Sequence, residues 1–169
     1  MRKMVATALA IICVVGLFTS PLTANAQEGK SAAKEVYITV DGTVKQVRLV
    51  KEFADGSKLY EGKVVTLERT RAGLTGQKPY YCRNSNGEVL WTATVVGTFT
   101  YNGRTSSCTN ARCSTTIYGS SWSEESCTAH TSGTSAVGSV VMIRKWLFFT
   151  LESIPVTITL NCDQNGNLS

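Results

Sequence analysis

Between Val89 and Tyr101 the chain alternates. Val89, Trp91, Ala93, Val95, Phe99 and Tyr101 are apolar or aromatic, and Thr92, Thr94, Thr98 and Thr100 take most of the positions between them. Successive side chains of an extended chain point to opposite faces, so this period of two predicts a strand with one buried and one hydroxyl-rich face. Gly97 interrupts the row and marks a bulge or bend. The segment IPVTITLNC repeats the pattern: Val156, Ile158, Leu160 and Cys162 share one face, Thr157, Thr159 and Asn161 the other. Cys162 is therefore expected to point inward. Between these runs lie STTIY, WSEESCTA and AVGSVVMIRKW, separated by GSS and TSGTS. Five or more short strands without an amphipathic helical stretch predict an all-β fold, an antiparallel β-sandwich or partly closed barrel, Ig-like in size.

The preceding segment carries the same signal more weakly. VYITV, residues 36–40, alternates and is followed by Asp41-Gly42, and VKQVRLVKEF is followed by Asp55-Gly56. Asp-Gly between alternating runs predicts hairpins, because the tight turn needs positive φ at both central residues. LYEGKVVTLE supplies a third strand of a small N-terminal β-meander. Three lysine-rich strands bury little alone, so they are expected to lie against the rest of the chain or to stay loosely attached.

Composition divides the chain in the same place. Residues 27–80 hold ten Lys+Arg against seven Asp+Glu, whereas residues 81–169 balance at five each and devote 27 of 89 positions to Ser or Thr. RTRAGLTGQKPY, residues 69–80, is basic, contains glycine and ends near Pro79, as a linker does. The expected organisation is a basic β-hairpin or meander segment with its linker at 27–80 and a main all-β domain at 81–169.

The first 26 residues read as a secretory leader. Arg2 and Lys3 precede an apolar run from Met4 to Phe18, Pro21 breaks it, and Ala24-Asn25-Ala26 supplies a small-x-small cleavage site. The run is short of the ~20 apolar residues of a membrane span. Cleavage after Ala26 predicts a chain released outside the cell, where thiols are oxidised. Of six cysteines Cys13 leaves with the leader, and the odd remainder implies a free thiol or an intermolecular bond.

Cys108, Cys113, Cys127 and His130 form a C-x4-C-x13-C-x2-H array. Zinc needs four converging donors. Cys108 and Cys113, five apart, and Cys127 and His130, three apart, would face opposite sides of their strands, so no metal site is assigned. Disulfides fit better. A hairpin turning at Gly119-Ser120-Ser121 sets Tyr118 beside Trp122 and Cys113 opposite Cys127. Cys108, on the other face, then reaches the inward Cys162, and Cys82 is left unpaired. Spacing alone still leaves 15 arrangements open, five choices of the odd cysteine with three pairings each.

No catalytic residue is assigned. His130 is the only histidine, no G-x-S-x-G elbow is present, and Glu124 and Glu125 are adjacent and face opposite ways on a strand. Phosphate loops and EF-hand patterns are missing, no cofactor is implied, and the modest charge makes no case for nucleic acid.

MIRKWLFFTLE, residues 142–152, places Arg144 and Lys145 against Trp146, Leu147, Phe148 and Phe149. A strand that is apolar on both sides reads first as core running into a hairpin corner. Its alternatives are a binding surface made by Arg144, Lys145, Trp146, Phe148 and Phe149, or a contact with a membrane interface.

LWTATVVGTFTYNG, the cysteine at 108, Trp122 and the terminal ITLNCDQNGNLS together resemble uncharacterised small secreted proteins of Gram-positive bacteria. The resemblance covers residues 81–169 and implies secretion and an all-β domain without implying an activity. Cysteines matching Cys108 and Cys162 recur in that group, and Cys113 and Cys127 look like an added pair. The expectation from the whole reading is a secreted, non-enzymatic binding or structural module of the cell exterior, with a cell-surface protein or glycan as partner. The rival is a secreted antimicrobial or toxin-like protein that contacts membranes through the basic aromatic segment.

Overall fold

The alternating apolar positions meet in one core. Trp91, Ala93, Val95 and Phe99 are fully buried and pack against Val140, Met142, Ile158 and Leu160 of the facing layer. The computed structural model describes residues 35–71, 73–147 and 149–169, and the leader expected at 1–26 lies outside the described residues. Ten strands follow in order: β1 (Glu35–Val40), β2 (Thr43–Glu52), β3 (Lys58–Gly62), β4 (Val65–Arg69), β5 (Gly73–Arg83), β6 (Val89–Tyr101), β7 (Ser106–Ile117), β8 (Trp122–Ser132), β9 (Ser135–Trp146) and β10 (Phe149–Asn161). Among the described residues there is no helix, and so none long and apolar enough to cross a membrane.

The strands form two antiparallel sheets. The larger runs β1-β2-β3-β5-β6-β7, with β4 also pairing with β5, and the smaller runs β10-β9-β8. The smaller sheet lies on the larger, β10 over β5 and β6, β9 over β6 and β7. This is a sandwich, and the sheets do not close into the barrel that was the other expectation. Each strand from β5 onward reaches 11 to 13 residues, longer than the short strands expected.

The segment expected as a linker is structural. Residues 73–80 belong to β5, which pairs along its full length with β6 and holds β3 and β4 on its other side. Gly73, Gly76 and Pro79 gave this segment the composition of a linker, although they sit inside a central strand. The boundary placed between residues 80 and 81 falls within that strand, so the described residues of both halves share one sheet. Gly97 has a packing role: a Cβ there would stand 2.8 Å from the Cβ of Ala136 in the facing sheet. The register shift of β6 comes one step later, between Thr98 and Phe99.

The N-terminal strands are members of the larger sheet and do not hang free of it. Ile38, Val40 and Val47 of β1 and β2 pack with Tyr60 and Tyr81 into a second, smaller core. Asp41 and Gly42 join β1 to β2 with φ of 48° and 72°, the all-positive turn that Asp-Gly favours. The second Asp-Gly differs. The loop spans Phe53 to Ser57 with only Gly56 at positive φ, and Asp55 Oδ1 accepts hydrogen bonds from the backbone N–H (2.9 Å) and hydroxyl (2.6 Å) of Ser57. LYEGKVVTLE, expected as one strand, is broken at Lys63 and Val64 into β3 and β4.

Candidate functional site

β9 leaves the core and β10 returns to it. Met142 and Ile143 are buried, yet three residues later Trp146 is 64% exposed, Leu147 71%, Phe149 67% and Leu151 56%. The core reading of MIRKWLFFTLE holds for its first two residues and fails for its aromatic end. The reason is length: β8 begins at Trp122, opposite Arg144, so β9 and β10 outrun it and Trp146 has a strand neighbour on one side only. Trp146 pairs with Phe149 across the hairpin, and Leu147 stands at φ 53°, a left-handed conformation unfavourable for a bulky residue without a glycine's freedom. Phe148, the other loop residue, lies outside the described residues.

Ion pairs fix the base of this hairpin. Arg144 Nη1 lies 3.2 Å from Asp55 Oδ2 in the β2–β3 loop, and Arg144 Nε 3.7 Å from Glu152 Oε2 on the neighbouring strand. Hydrogen bonds from Ser57, with the Arg144 charge behind them, hold the Asp55 carboxyl below its usual range. Arg144 is thus a positioning cation and not a free member of the tip. Lys145 is exposed and enters no ion pair among the described residues; it pairs in register with Thr150, and its backbone N–H donates to Ser121 O at 2.8 Å. Four exposed apolar side chains with one unpaired cation make the tip a surface whose burial against a partner would release ~1.5–3 kcal/mol per large side chain.

Cys113 and Cys127 form a disulfide with Cα atoms 5.7 Å apart. The pair is the expected one, but the geometry that makes it is different. β7 and β8 belong to different sheets, so the bond clamps the two layers at their shared edge and does not cross a single ladder. Tyr118 and Trp122 likewise do not pair at the turn. Trp122 is buried against Trp91, ring centroids 6.1 Å apart, and Tyr118 donates its hydroxyl to Asp41 Oδ2 at 2.9 Å.

Cys108 and Cys162, expected as a second bridge, are thiols in this structure, as is Cys82; all three are buried. Cys108 and Cys162 belong to the same core cluster, and their backbone N–H groups donate to consecutive carbonyls, Gly133 O at 2.8 Å and Thr134 O at 3.0 Å. Burial pushes both thiols up.

With Cys113 and Cys127 joined, two of the four donors in the C-x4-C-x13-C-x2-H array are committed to sulfur. His130 sits exposed on β8 opposite Val137. Glu124 accepts from the Thr115 hydroxyl, and Glu125 is the extra residue of a bulge. The sequence reading missed Asp55 and Glu152 as the clamp on Arg144, and missed Leu151. The Asp55-Gly56 turn signal located the loop, but no spacing indicates that it reaches residue 144. No family model, no curated protein and no solved structure matches the chain.

Proposed function

We propose that the chain is a secreted, non-enzymatic binding module of the cell exterior that engages a cell-surface partner through the β9–β10 tip. The observation that carries this reading is the outward projection of Trp146, Leu147, Phe149 and Leu151 from a hairpin whose base is held by Arg144, Asp55 and Glu152. Monomeric surfaces seldom gather large apolar side chains without a use for them. The leader pattern and the Cys113–Cys127 bond support an oxidising exterior as the site of action. The test is retention of the labelled chain on intact and protease-shaved Gram-positive cells, compared with a Leu147→Ser/Phe149→Ser variant of equal thermal stability. Loss of retention in the variant and on shaved cells supports a protein partner reached by the tip, and equal retention of the variant overturns it.

The membrane alternative has one observation in its favour. A convex tip that is apolar on both sides and carries the unpaired Lys145 suits a fluid interface, which needs no preformed pocket. Dye release from anionic vesicles, with a blue shift in emission that is lost in Trp146→Phe, would establish it. Neither effect at micromolar protein would remove it.

A further inference from the structure

A second surface, on the opposite side of the larger sheet from the core, is independent of the tip. The β1–β2 hairpin folds over this outer face and leaves a cleft of ≈ 490 Å³ beneath it. Its floor is the hydroxyl-bearing side of the central strands, Thr92 and Thr94 of β6, Thr116 of β7 and Gln77 of β5. Tyr118, bonded to Asp41, closes one end. Farther along the same face of β6, Val96 and Thr98 border a second, smaller hollow of ≈ 220 Å³ with Asn110 and Arg112 along its side. From Thr92 to Thr98 this face runs six residues at roughly 3.3 Å each, about 20 Å.

Three properties define what such a trough takes. Hydroxyls and amides both donate and accept, so the floor matches a ligand that is itself rich in hydroxyls. Val44, Val65 and Pro79 line it too and offer apolar surface for the C–H faces of rings. Lys45, Lys63 and Arg112 line the two hollows without an ion pair among the described residues, against the single carboxylate of Asp41, so the ligand is negatively charged. An extended peptide fits less well. Peptides add to a sheet through a free strand edge, whereas β5 and β6 beneath the trough are paired on both sides.

We infer that the trough between the β1–β2 hairpin and the outer face of β5, β6 and β7 binds an anionic polysaccharide, a linear chain of hydroxylated sugar rings carrying carboxylates. The test is affinity electrophoresis of the full chain in gels containing polygalacturonate, neutral dextran or polyglutamate. Retardation is expected in polygalacturonate alone. Lys45→Gln/Lys63→Gln is expected to weaken it by about tenfold, while Lys51→Gln/Lys58→Gln, the same charge change outside the trough, leaves it intact. Thr94→Arg, which fills the floor, is expected to abolish it despite its added positive charge. Phe149→Ser is expected to leave it unchanged, so the trough and the tip fail or stand separately. The inference is overturned by no retardation in polygalacturonate, by equal retardation in polyglutamate or in dextran, or by equal weakening in the two lysine pairs.

Discussion

Cys82 shows what a single buried side chain contributes. It is wholly inaccessible, pairs in register with Trp91, and lies in the main core. Burial, helped by the carboxylates of Glu152 and Asp55, pushes its thiol up to about 12 from an ordinary 9.0. Only the thiolate attacks an alkylating agent, so at pH 8 the native protein is expected to leave Cys82 unlabelled by iodoacetamide, and unfolded protein to label fully, as read by mass spectrometry. The same shift sets a pH dependence. A group whose folded pKa is raised stabilises the fold below its unfolded value and loses that contribution as pH climbs to the folded one. Burial raises Tyr80 and Tyr81 as well. Denaturation midpoints are therefore expected to fall from pH 9 toward 12, more shallowly in Cys82→Ala; a flat profile would contradict this account. The odd count of cysteines announced a spare thiol, but an odd count says nothing about which residue is spare or how deeply it lies.

Strands here are held to one another by close approach and by sulfur. The contact of Gly97 with Ala136 and Phe99 leaves no room for a methyl group, so Gly97→Ala is expected to cost about 1–3 kcal/mol by overpacking, measurable as a shift in urea midpoint. Breaking the Cys113–Cys127 bond by Cys→Ser at both ends is expected to cost about 3 kcal/mol, the loop-closure entropy of a 15-residue ring. In the exported chain proposed above, two thiols yield two electrons and two protons to an external disulfide oxidant. Cys108 and Cys162, tethered to adjacent carbonyls of the β8–β9 turn, are then expected to become a second bond. Non-reducing peptide mapping checks it, and free Cys108 and Cys162 in secreted protein would refute it. Alternation made β6 and β10 readable residue by residue. β7 and β8 were readable as strands but not as members of different sheets, because a corner and a hairpin share the same Gly-Ser-Ser signature.

The described residues form one sandwich with a folded-over hairpin. β3 and β4 both pair with β5, and Leu59 lies in the main core, so residues 35–69 complete the sheet that carries the second half. A chain beginning at residue 73 is expected to lose cooperative thermal unfolding by circular dichroism and to expose the smaller core's remnant Tyr81. A sharp transition in that fragment would restore the domain boundary that composition suggested. The trough and the tip sit on opposite sides of the same scaffold. The hairpin that carried the weaker strand signal walls the trough, while the aromatic end of the run read first as core protrudes as the tip.

What the sequence determined by itself is whatever one strand decides alone. It set which side chains of β6 and β10 point inward and that Asp41-Gly42 is an all-positive turn, since period-two alternation and turn chemistry are local. Tertiary structure alone decided which strands share a sheet, that a Gly- and Pro-containing segment is central, that Arg144 is spent on Asp55 and Glu152, and that Trp146 and Phe149 stay uncovered. Those outcomes depend on whether a second layer reaches a given position. Its reach is a property of strand lengths and sheet curl summed over the whole chain.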